Sequence, residues 1–299
     1  MTTASAYLLN TFPNTERWHL KSMACQYKYF SGEGIRLNVL DKNHYLIKPM
    51  LDKPIFPLCR KIIRLYDFLN SGDDYGVFID LDTVVINGKK SIHDFCVDGQ
   101  SYIRSSSPYP RFKGVGWEDL PEYLKKRECI HLVLKNGLSL DYGISYTVNT
   151  GFTLLSREFC EIIANRLEEF DLTLTKKSGM DNYIEFDSAV QKLYSDRGWP
   201  IHVPTIHDEH LFEIALNSAD EQNNPIKRAK STKDICTEGN EIRLPLAMFA
   251  TGHVPEQSNC LFDMPALAKK DSIFLHLMRR GSHYDLDTLD GIFKVAGDL

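Results

Sequence analysis

Two aspartates, Asp80 and Asp82, follow an apolar run in the segment YGVFIDLDTVVIN at residues 75–87. Residues i and i+2 of a strand lie on the same side of the chain, so the pattern predicts that both carboxylates face one way. Two like charges at that separation repel each other, and a bound cation would relieve the repulsion. Hard carboxylate oxygens suit Mg²⁺ or Mn²⁺. The alternative is that the two acids cap a solvated strand end.

The elements that must position this pair are predicted from the apolar pattern of the first 90 residues. Segments SAYLLN and GIRLNVL and the run before Asp80 are predicted strands, and NTERWHLKSMACQYKYF and FPLCRKIIRLYDFLNSG are predicted helices. This β-α-β-α-β order is typical of a parallel sheet with crossover helices. Ligands of such sheets bind beyond the carboxyl ends of the strands, where the two aspartates are expected.

The rest of the chain mixes strands and helices. We predict a strand at SYIRSS, two short strands around a turn at Asn149–Gly151, and a strand at DSIFLHLM. Helices are expected in REFCEIIANRLEEF, FDSAVQKLYSDRG and DEHLFEIALNSA, and a further strand in LPLAMFATGH. Residues 219–241 are polar and strand-poor, which predicts a long loop or a mobile segment.

Composition and charge narrow the function classes. The chain has 299 residues and a net charge of −5, which disfavours a broad basic face for nucleic acid. The seven cysteines are scattered singly, so a disulfide framework and a cysteine zinc site are disfavoured and a reducing cytoplasm is favoured. The sequence shows no signal-peptide pattern and no apolar run of about 18 residues. We therefore expect a cytoplasmic protein, with association at the inner face of a membrane left open.

The ordered set of motifs resembles the metal-dependent GT-A glycosyltransferases. CRKIIRLYDFLNSGDDYGVFIDLDTVVIN, residues 59–87, resembles in particular the sugar-binding D-x-D region of retaining enzymes, in which an Arg-bearing helix precedes the D-x-D strand. This chain differs in having a few extra residues after the helix and one glycine rather than two. NTGFTLLSRE resembles the downstream acceptor-side strand of the family, and FLHLMRRGSH resembles its C-terminal His-containing segment.

The resemblance implies a fold, a donor and an acceptor. The expected fold is one α/β domain over residues 1–299, with a Rossmann-like, mostly parallel central sheet flanked by helices. We expect a nucleotide-binding half at 1–98, an acceptor-side half at 99–284 and a C-terminal tail at 285–299. The expected reaction moves a sugar from a nucleotide-diphosphate donor, UDP-linked, to a saccharide or lipid-linked glycan, as in cell-surface polysaccharide synthesis, with Mn²⁺ or Mg²⁺.

The candidate metal ligands are Asp80, Asp82 and His276. His276 alternates with apolar residues in a predicted strand, so a packed core histidine is the competing interpretation. Downstream of it stand Arg279, Arg280 and Gly281, whose guanidinium groups and backbone N–H groups suit a diphosphate. The competing interpretation of the two arginines is a solvated pair.

Further roles are implied by the resemblance. It places Arg64 at the donor sugar or the metal-site carboxylates, and Asn149 and Asp187, with Glu185, at donor or acceptor hydroxyls. Local explanations compete with each role: a solvated helix face, a tight turn and a helix N-terminus. Trp18 is a candidate to stack on the nucleobase or to pack in the core. Retention of anomeric configuration is favoured, because no well-placed general base is evident.

The sequence is also compatible with two other functions. VFIDLDTVV also fits the haloacid-dehalogenase phosphatase pattern, in which Asp80 would be the nucleophile and Asp82 the acid/base. That family usually has this motif near the N-terminus and needs a later paired-acid motif, which we do not find. The other possibility is a catalytically inert module that binds a sugar nucleotide or a glycan.

Overall fold

The computed structural model describes residues 2–11, 17–55, 57–106, 146–196, 198, 206, 208–217, 224–241, 264–267 and 269–277. The strands are Ala4–Asn10 (β1), Arg36–Asp41 (β2), Tyr75–Ile79 (β3), Thr83–Val85 (β4), Tyr102–Ser106 (β5), Thr147–Ser156 (β6), Cys236–Glu238 (β7) and Phe274–His276 (β8). The α-helices are Arg17–Gly32 (α1), Ile63–Leu69 (α2), Arg157–Glu169 (α3), Lys177–Asp196 (α4), Asp208–Leu216 (α5) and Met264–Leu267 (α6). Short 3-10 helices are Lys48–Met50, Pro57–Ile62, Ile92–Phe95, Pro225–Arg228, Thr232–Asp234 and Gly239–Glu241.

The central sheet has the strand order β2-β1-β3-β6-β5. β1 is parallel to both β2 and β3, whereas β6 is antiparallel to β3 and to β5. Four of these five described strands therefore run in the same direction, and β6 runs against them. The predicted α/β class with a mostly parallel central sheet flanked by helices is confirmed.

A smaller sheet, in the order β4-β8-β7, lies beside the central one. β4 is antiparallel to β8, and β7 is parallel to β8. β3 and β4 are separated only by residues 80–82, so the chain passes from the large sheet to the small one through the D-x-D segment.

Two apolar cores cover the two faces of the central sheet, as the alternation along β1 shows. Tyr7 and Leu9 pack with residues of α2, α3 and α5, whereas Ala6 and Leu8 pack with residues of α1 and the small sheet. Since full burial of a large apolar side chain contributes about 1.5–3 kcal/mol, both layers stabilise the sheet that carries Asp80. No helix in the described part of the chain is long and apolar enough to cross a membrane.

The helix predicted over residues 56–72 begins as the 3-10 helix Pro57–Ile62 and continues as α2. Lys61 lies in the 3-10 helix and Arg64 in α2, and residues three apart share a side in both kinds of helix, which places the two cations together. Arg60 instead directs Nη2 toward the carbonyl oxygens of Met50 and Ile55, at 3.4 and 3.5 Å. Arg60 therefore does not share a face with Arg64, although residues four apart do so in a regular α-helix.

The two short strands predicted around Asn149–Gly151 are one continuous strand, β6. The predicted turn was therefore wrong. The register of β5 against β6 shifts between Tyr102 and Arg104, so the ladder is irregular opposite this part of β6.

Residues 219–241 were predicted to be a strand-poor loop, and the structure corrects this in its described part, 224–241. That part contains three 3-10 helices and β7, and it buries Ile226, Ile235 and Cys236. A three-residue strand is too short to show the alternation from which strands are predicted. The strand predicted at residues 244–253 and the tail at 285–299 lie outside the described residues.

Candidate metal centre

The D-x-D segment is a turn between the two sheets rather than part of one strand. β3 ends at Ile79, the backbone N–H of Asp80 donates to the carbonyl of Gly151 at 2.9 Å, and that of Thr83 donates to the carbonyl of Asp80 at 3.1 Å. The expectation that both aspartates share a strand was therefore wrong. They lie together because the turn places them at the carboxyl end of β3.

His276 reaches the aspartates through the small sheet. It is the register partner of Thr83 across β4 and β8, and the next N–H along, that of Leu277, donates to the carbonyl of Asp82 at 2.9 Å. His276 Nε2 lies 3.4 Å from Asp82 Oδ1. One ligand atom from each of Asp80, Asp82 and His276 lies within 4.8 Å of the other two. The structure thus brings together the three predicted metal ligands.

Gly151 provides the space that the His276 ring occupies. A Cβ atom at Gly151 would lie 2.5 Å from Nδ1 of that ring and closer still to Cε1 and Nε2. A real Cβ atom cannot approach a ring so closely, because non-bonded atoms rest about 3.5–4.0 Å apart. The glycine of N-T-G is therefore required for close packing and not for a turn.

Glu238 is a member of this site that the sequence analysis missed. Its Oε2 lies 2.9 Å from His276 Nδ1, and both side chains are buried. Burial by itself lowers the pKa of His276, but the carboxylates of Asp82 and Glu238 outweigh it and hold that pKa well above its usual value. The two acids on opposite sides of the ring therefore favour its doubly protonated, cationic form.

Two cationic side chains hold the carboxylate of Asp80. Lys61 Nζ lies 2.6 Å from Oδ2, and Arg64 Nη1 lies 3.0 Å from Oδ1 and 2.9 Å from the carbonyl oxygen of Ile79. The placement of Arg64 at the metal-site carboxylates, which the resemblance implied, agrees with this geometry. The sequence signal for Lys61 is its spacing of three residues from Arg64, which places both cations beside Asp80.

Lys61 also connects Asp80 to a second acidic group at the start of α5. Its Nζ lies 3.6 Å from Asp208 Oδ2, and Asp208 accepts a hydrogen bond from the hydroxyl of Thr150 on β6. Burial lowers the pKa of Lys61, but the carboxylates of Asp208 and Asp80 reverse that effect and raise it. Burial, followed by the charge of Asp208, raises the pKa of Glu209 to about 7.

Buried polar groups on α1 fix the backbone of the D-x-D turn. Gln26 Nε2 donates to the carbonyl oxygens of Asp80 and Thr83, at 3.1 and 2.7 Å, and Ser22 Oγ donates to that of Thr83 at 2.7 Å. Ser22 and Gln26 are one helical turn apart and fully buried, so they act as one support. A buried carbonyl left unpaired costs about 1–3 kcal/mol, so these hydrogen bonds stabilise the D-x-D turn.

The donor set fits a divalent cation. Ligand atoms about 2.1 Å from a single ion are at most about 4.2 Å apart, so the cluster needs a contraction of only about half an ångström. If Nδ1–H of His276 donates to Glu238, the Nε2 lone pair faces Asp82, as in metal-bound histidines. Asp80 and Asp82 keep side-chain exposures of 15 % and 20 %, which leaves an approach from solvent.

The other predicted site residues are placed as follows. Asn149 lies on β6, and its Oδ1 accepts from the backbone N–H of Gly151 at 2.9 Å. Asp187 is buried on α4 and accepts from Gln191 at 2.7 Å, whereas Glu185 on the same helix is exposed. Trp18 belongs to α1, but its side chain is outside the described part of the structure, as are residues 279–281 with Arg279, Arg280 and Gly281.

Comparisons with known proteins give little similarity. No protein-family model and no curated protein matches the chain. The crystal structure of a glycosyltransferase involved in the glycosylation of the major capsid of PBCV-1 aligns with 98% of each chain, at 11% identity and a TM-score of 0.41. The crystal structure of A197 from STIV aligns with 54% of this chain and 68% of that chain, at 15% identity and a TM-score of 0.25. Both similarities are too low to assign a function to this chain.

Proposed function

We propose that this protein is a metal-dependent glycosyltransferase of the GT-A type. The donor would be a nucleotide-diphosphate sugar, UDP-linked, and the acceptor a saccharide or lipid-linked glycan. The observation that carries the proposal is the cluster of Asp80, Asp82 and His276 at the carboxyl end of β3. Ligands of parallel sheets bind at such strand ends, and the D-x-D region resembles that of the retaining enzymes.

The chemistry of the ligands favours Mn²⁺ over Mg²⁺. Two carboxylates suit either ion, whereas an imidazole ligand suits transition metals better than Mg²⁺. When bound, the cation would neutralise the diphosphate leaving group as the sugar–phosphate bond breaks. In this proposal Lys61 and Arg64 fix the rotamer of Asp80, so that the carboxylate remains directed at the ion.

The remaining donor and acceptor contacts are proposals that follow from the sequence. Arg279, Arg280 and Gly281 would hold the diphosphate, and Trp18 would stack on the nucleobase. Asn149, Asp187 and Glu185 would contact the sugar hydroxyls of donor or acceptor. Of the two acids on α4, Asp187 is the better candidate for a contact in a closed pocket, because it is buried whereas Glu185 is exposed.

We propose that the reaction retains the anomeric configuration. Glu209 is the residue that would support inversion instead, as a candidate general base. Direct displacement with inversion needs a general base, and a carboxyl group whose pKa is about 7 would suit that task. The anomeric configuration of the product, read by ¹H NMR before mutarotation, decides between the two outcomes.

The test of the proposed function is metal-dependent turnover of UDP-sugars. We expect hydrolysis or transfer with Mn²⁺, none in EDTA, and a loss of about 100-fold or more in Asp82→Asn, because several kcal/mol of leaving-group stabilisation disappear. Asp94→Asn, an identical charge change on an exposed side chain of the 3-10 helix Ile92–Phe95, is the matched control. Full activity in EDTA or in Asp82→Asn would refute the proposal. Mn²⁺-dependent UDP-sugar binding without turnover would instead indicate an inert module.

The phosphohydrolase alternative makes opposite predictions for Asp80. In the structure both carboxylate oxygens of Asp80 are already paired with cations, which makes them weaker nucleophiles. We expect no hydrolysis of p-nitrophenyl phosphate and no beryllofluoride adduct on Asp80. Hydrolysis that is abolished in Asp80→Asn would favour the phosphohydrolase.

A further inference from the structure

We infer that Glu238 is the positioning residue of the metal centre: its carboxylate accepts the Nδ1–H of His276 and so presents the Nε2 lone pair to the ion beside Asp82. The inference rests on the proposed metal site. It adds a residue outside the predicted ligand set, and that residue acts through the ligand rather than on the ion.

The small sheet supplies the geometry. Glu238 ends β7 and is the register partner of His276 on the parallel strand β8, while Thr83, directly after Asp82, is the register partner of His276 on β4. Two adjacent strands, and the turn that leads into the third, therefore present a carboxylate, an imidazole and a second carboxylate side by side. Glu238 Oε2 lies 2.9 Å from Nδ1, and Asp82 Oδ1 lies 3.4 Å from Nε2. The two acids thus engage opposite nitrogens of the ring.

The burial of Glu238 and His276 means that each side chain needs the other as a hydrogen-bond partner. Glu238 is 2 % exposed and His276 is 6 % exposed, and an isolated carboxylate at such a depth costs several kcal/mol. The hydrogen bond to Nδ1 offsets part of that cost. Glu238 is the nearer of the two carboxylates, 2.9 Å from Nδ1 against 3.4 Å between Asp82 and Nε2. Because a carboxylate can only accept, this contact keeps a proton on Nδ1, and Nε2 is the nitrogen that remains for an ion. Carboxylates in this position orient metal-bound histidines and raise their basicity.

Two glycines allow the strands to approach closely enough for these contacts. A Cβ atom at Gly239 would lie 2.6 Å from the carbonyl oxygen of Leu277 and 3.2 Å from that of His276. Gly151 leaves room for the ring on the other side. The backbone next to Glu238 and the ring of His276 are therefore each packed against a neighbouring segment more closely than a Cβ atom would allow.

The test is Glu238→Gln, with Mn²⁺ affinity measured by EPR of the free ion. The amide is neutral and can either accept from or donate to Nδ1, so it no longer selects one ring tautomer. We expect the Mn²⁺ dissociation constant to rise about 10–100-fold, the usual effect of removing such a partner. In ¹⁵N-labelled protein we also expect the exchange-protected Nδ1–H signal of His276 to shift upfield or disappear.

Glu241→Gln is the matched control. It removes the same charge three residues away, from a side chain that pairs with Arg104 and Lys270. We expect its Mn²⁺ affinity to equal that of the native protein, and the melting temperature of each metal-free variant shows whether the fold persists.

The inference is overturned if Glu238→Gln keeps native Mn²⁺ affinity or if Glu241→Gln weakens it equally. A native protein that binds no Mn²⁺ would refute the proposed metal site instead. In that case the Nδ1–H signal still decides whether Glu238 orients His276: an unchanged signal in Glu238→Gln refutes the hydrogen bond itself.

Discussion

Replacing Gly151 with alanine should displace His276 and weaken ion binding at the proposed metal site, while leaving the two sheets formed. The new methyl group would lie 2.5 Å from Nδ1 of the ring, whereas atoms in ordinary contact rest about 3.5 Å apart. The ring must therefore retreat by at least about 1 Å. A movement of that size breaks the 2.9 Å hydrogen bond to Glu238 unless the carboxylate follows.

The energetic cost follows from overpacking. Extra methyl groups in a filled interior cost about 1–3 kcal/mol, and here the atom that must yield is a ring held between Glu238 and Asp82. We expect Gly151→Ala to lower the free energy of unfolding by an amount in that range. We also expect Mn²⁺ affinity to fall at least as far as in Glu238→Gln.

The decisive assay is a double-mutant cycle that combines Gly151→Ala with His276→Ala. The free energy of unfolding of each variant is measured in urea without metal. If the His276 ring is what the methyl group meets, removing the ring should relieve the strain. The cost of Gly151→Ala should then fall to within about 0.5 kcal/mol of zero, and the coupling energy should be about 1–3 kcal/mol. His276→Ala alone should destabilise the protein, because it leaves the buried carboxylate of Glu238 without its partner.

Gly32→Ala is the control, since a Cβ atom at Gly32 meets nothing within 4 Å. It should leave Mn²⁺ affinity unchanged and should not destabilise the protein, because alanine in a helix is more stable than glycine by up to about 1 kcal/mol. The reasoning is refuted if Gly151→Ala costs the same with and without the His276 ring, because the steric conflict would then lie elsewhere.

Two further predictions concern buried charges around Asp80. The raised pKa of Glu209, about 7 against an ordinary 4.5, means that the folded state holds this proton more tightly, so stability should fall as pH rises through that window, by at most about 3 kcal/mol. Glu209→Gln should therefore raise the free energy of unfolding at pH 8 and leave it unchanged at pH 4, and an equal effect at both pH values would contradict this. Lys61→Met should destabilise the protein by about 3 kcal/mol, because it leaves the carboxylates of Asp80 and Asp208 without their shared cation. Urea unfolding measures both changes, and Lys42→Met, at an exposed lysine, is expected to be neutral.

Much of the fold follows from local sequence pattern. The alternation in β1 and the apolar run of β3, each within reach of a predicted helix, are enough to predict parallel strands joined by crossovers, because burial on one or both faces leaves a period in the sequence. The reversed strand β6 and the three-residue strands β4 and β7 are not predictable in this way. The direction of β6 depends on the strands beside which it pairs. β4 and β7 have only three residues each, too few to show a period in the sequence.

The sequence by itself determined which groups could bind a metal: a D-x-D pair after an apolar strand and a histidine in a late strand. Only the tertiary structure decided how they are held. Glu238 is 38 residues from His276, and Asp208 is 58 residues from Thr150, so no local pattern relates them. Gly151 also cannot be explained from local sequence. The N-T-G sequence suggests a turn, whereas in the structure the glycine leaves space for the imidazole of His276, 125 residues away. Such contacts depend on how separate elements pack, and packing distances are set by the whole domain.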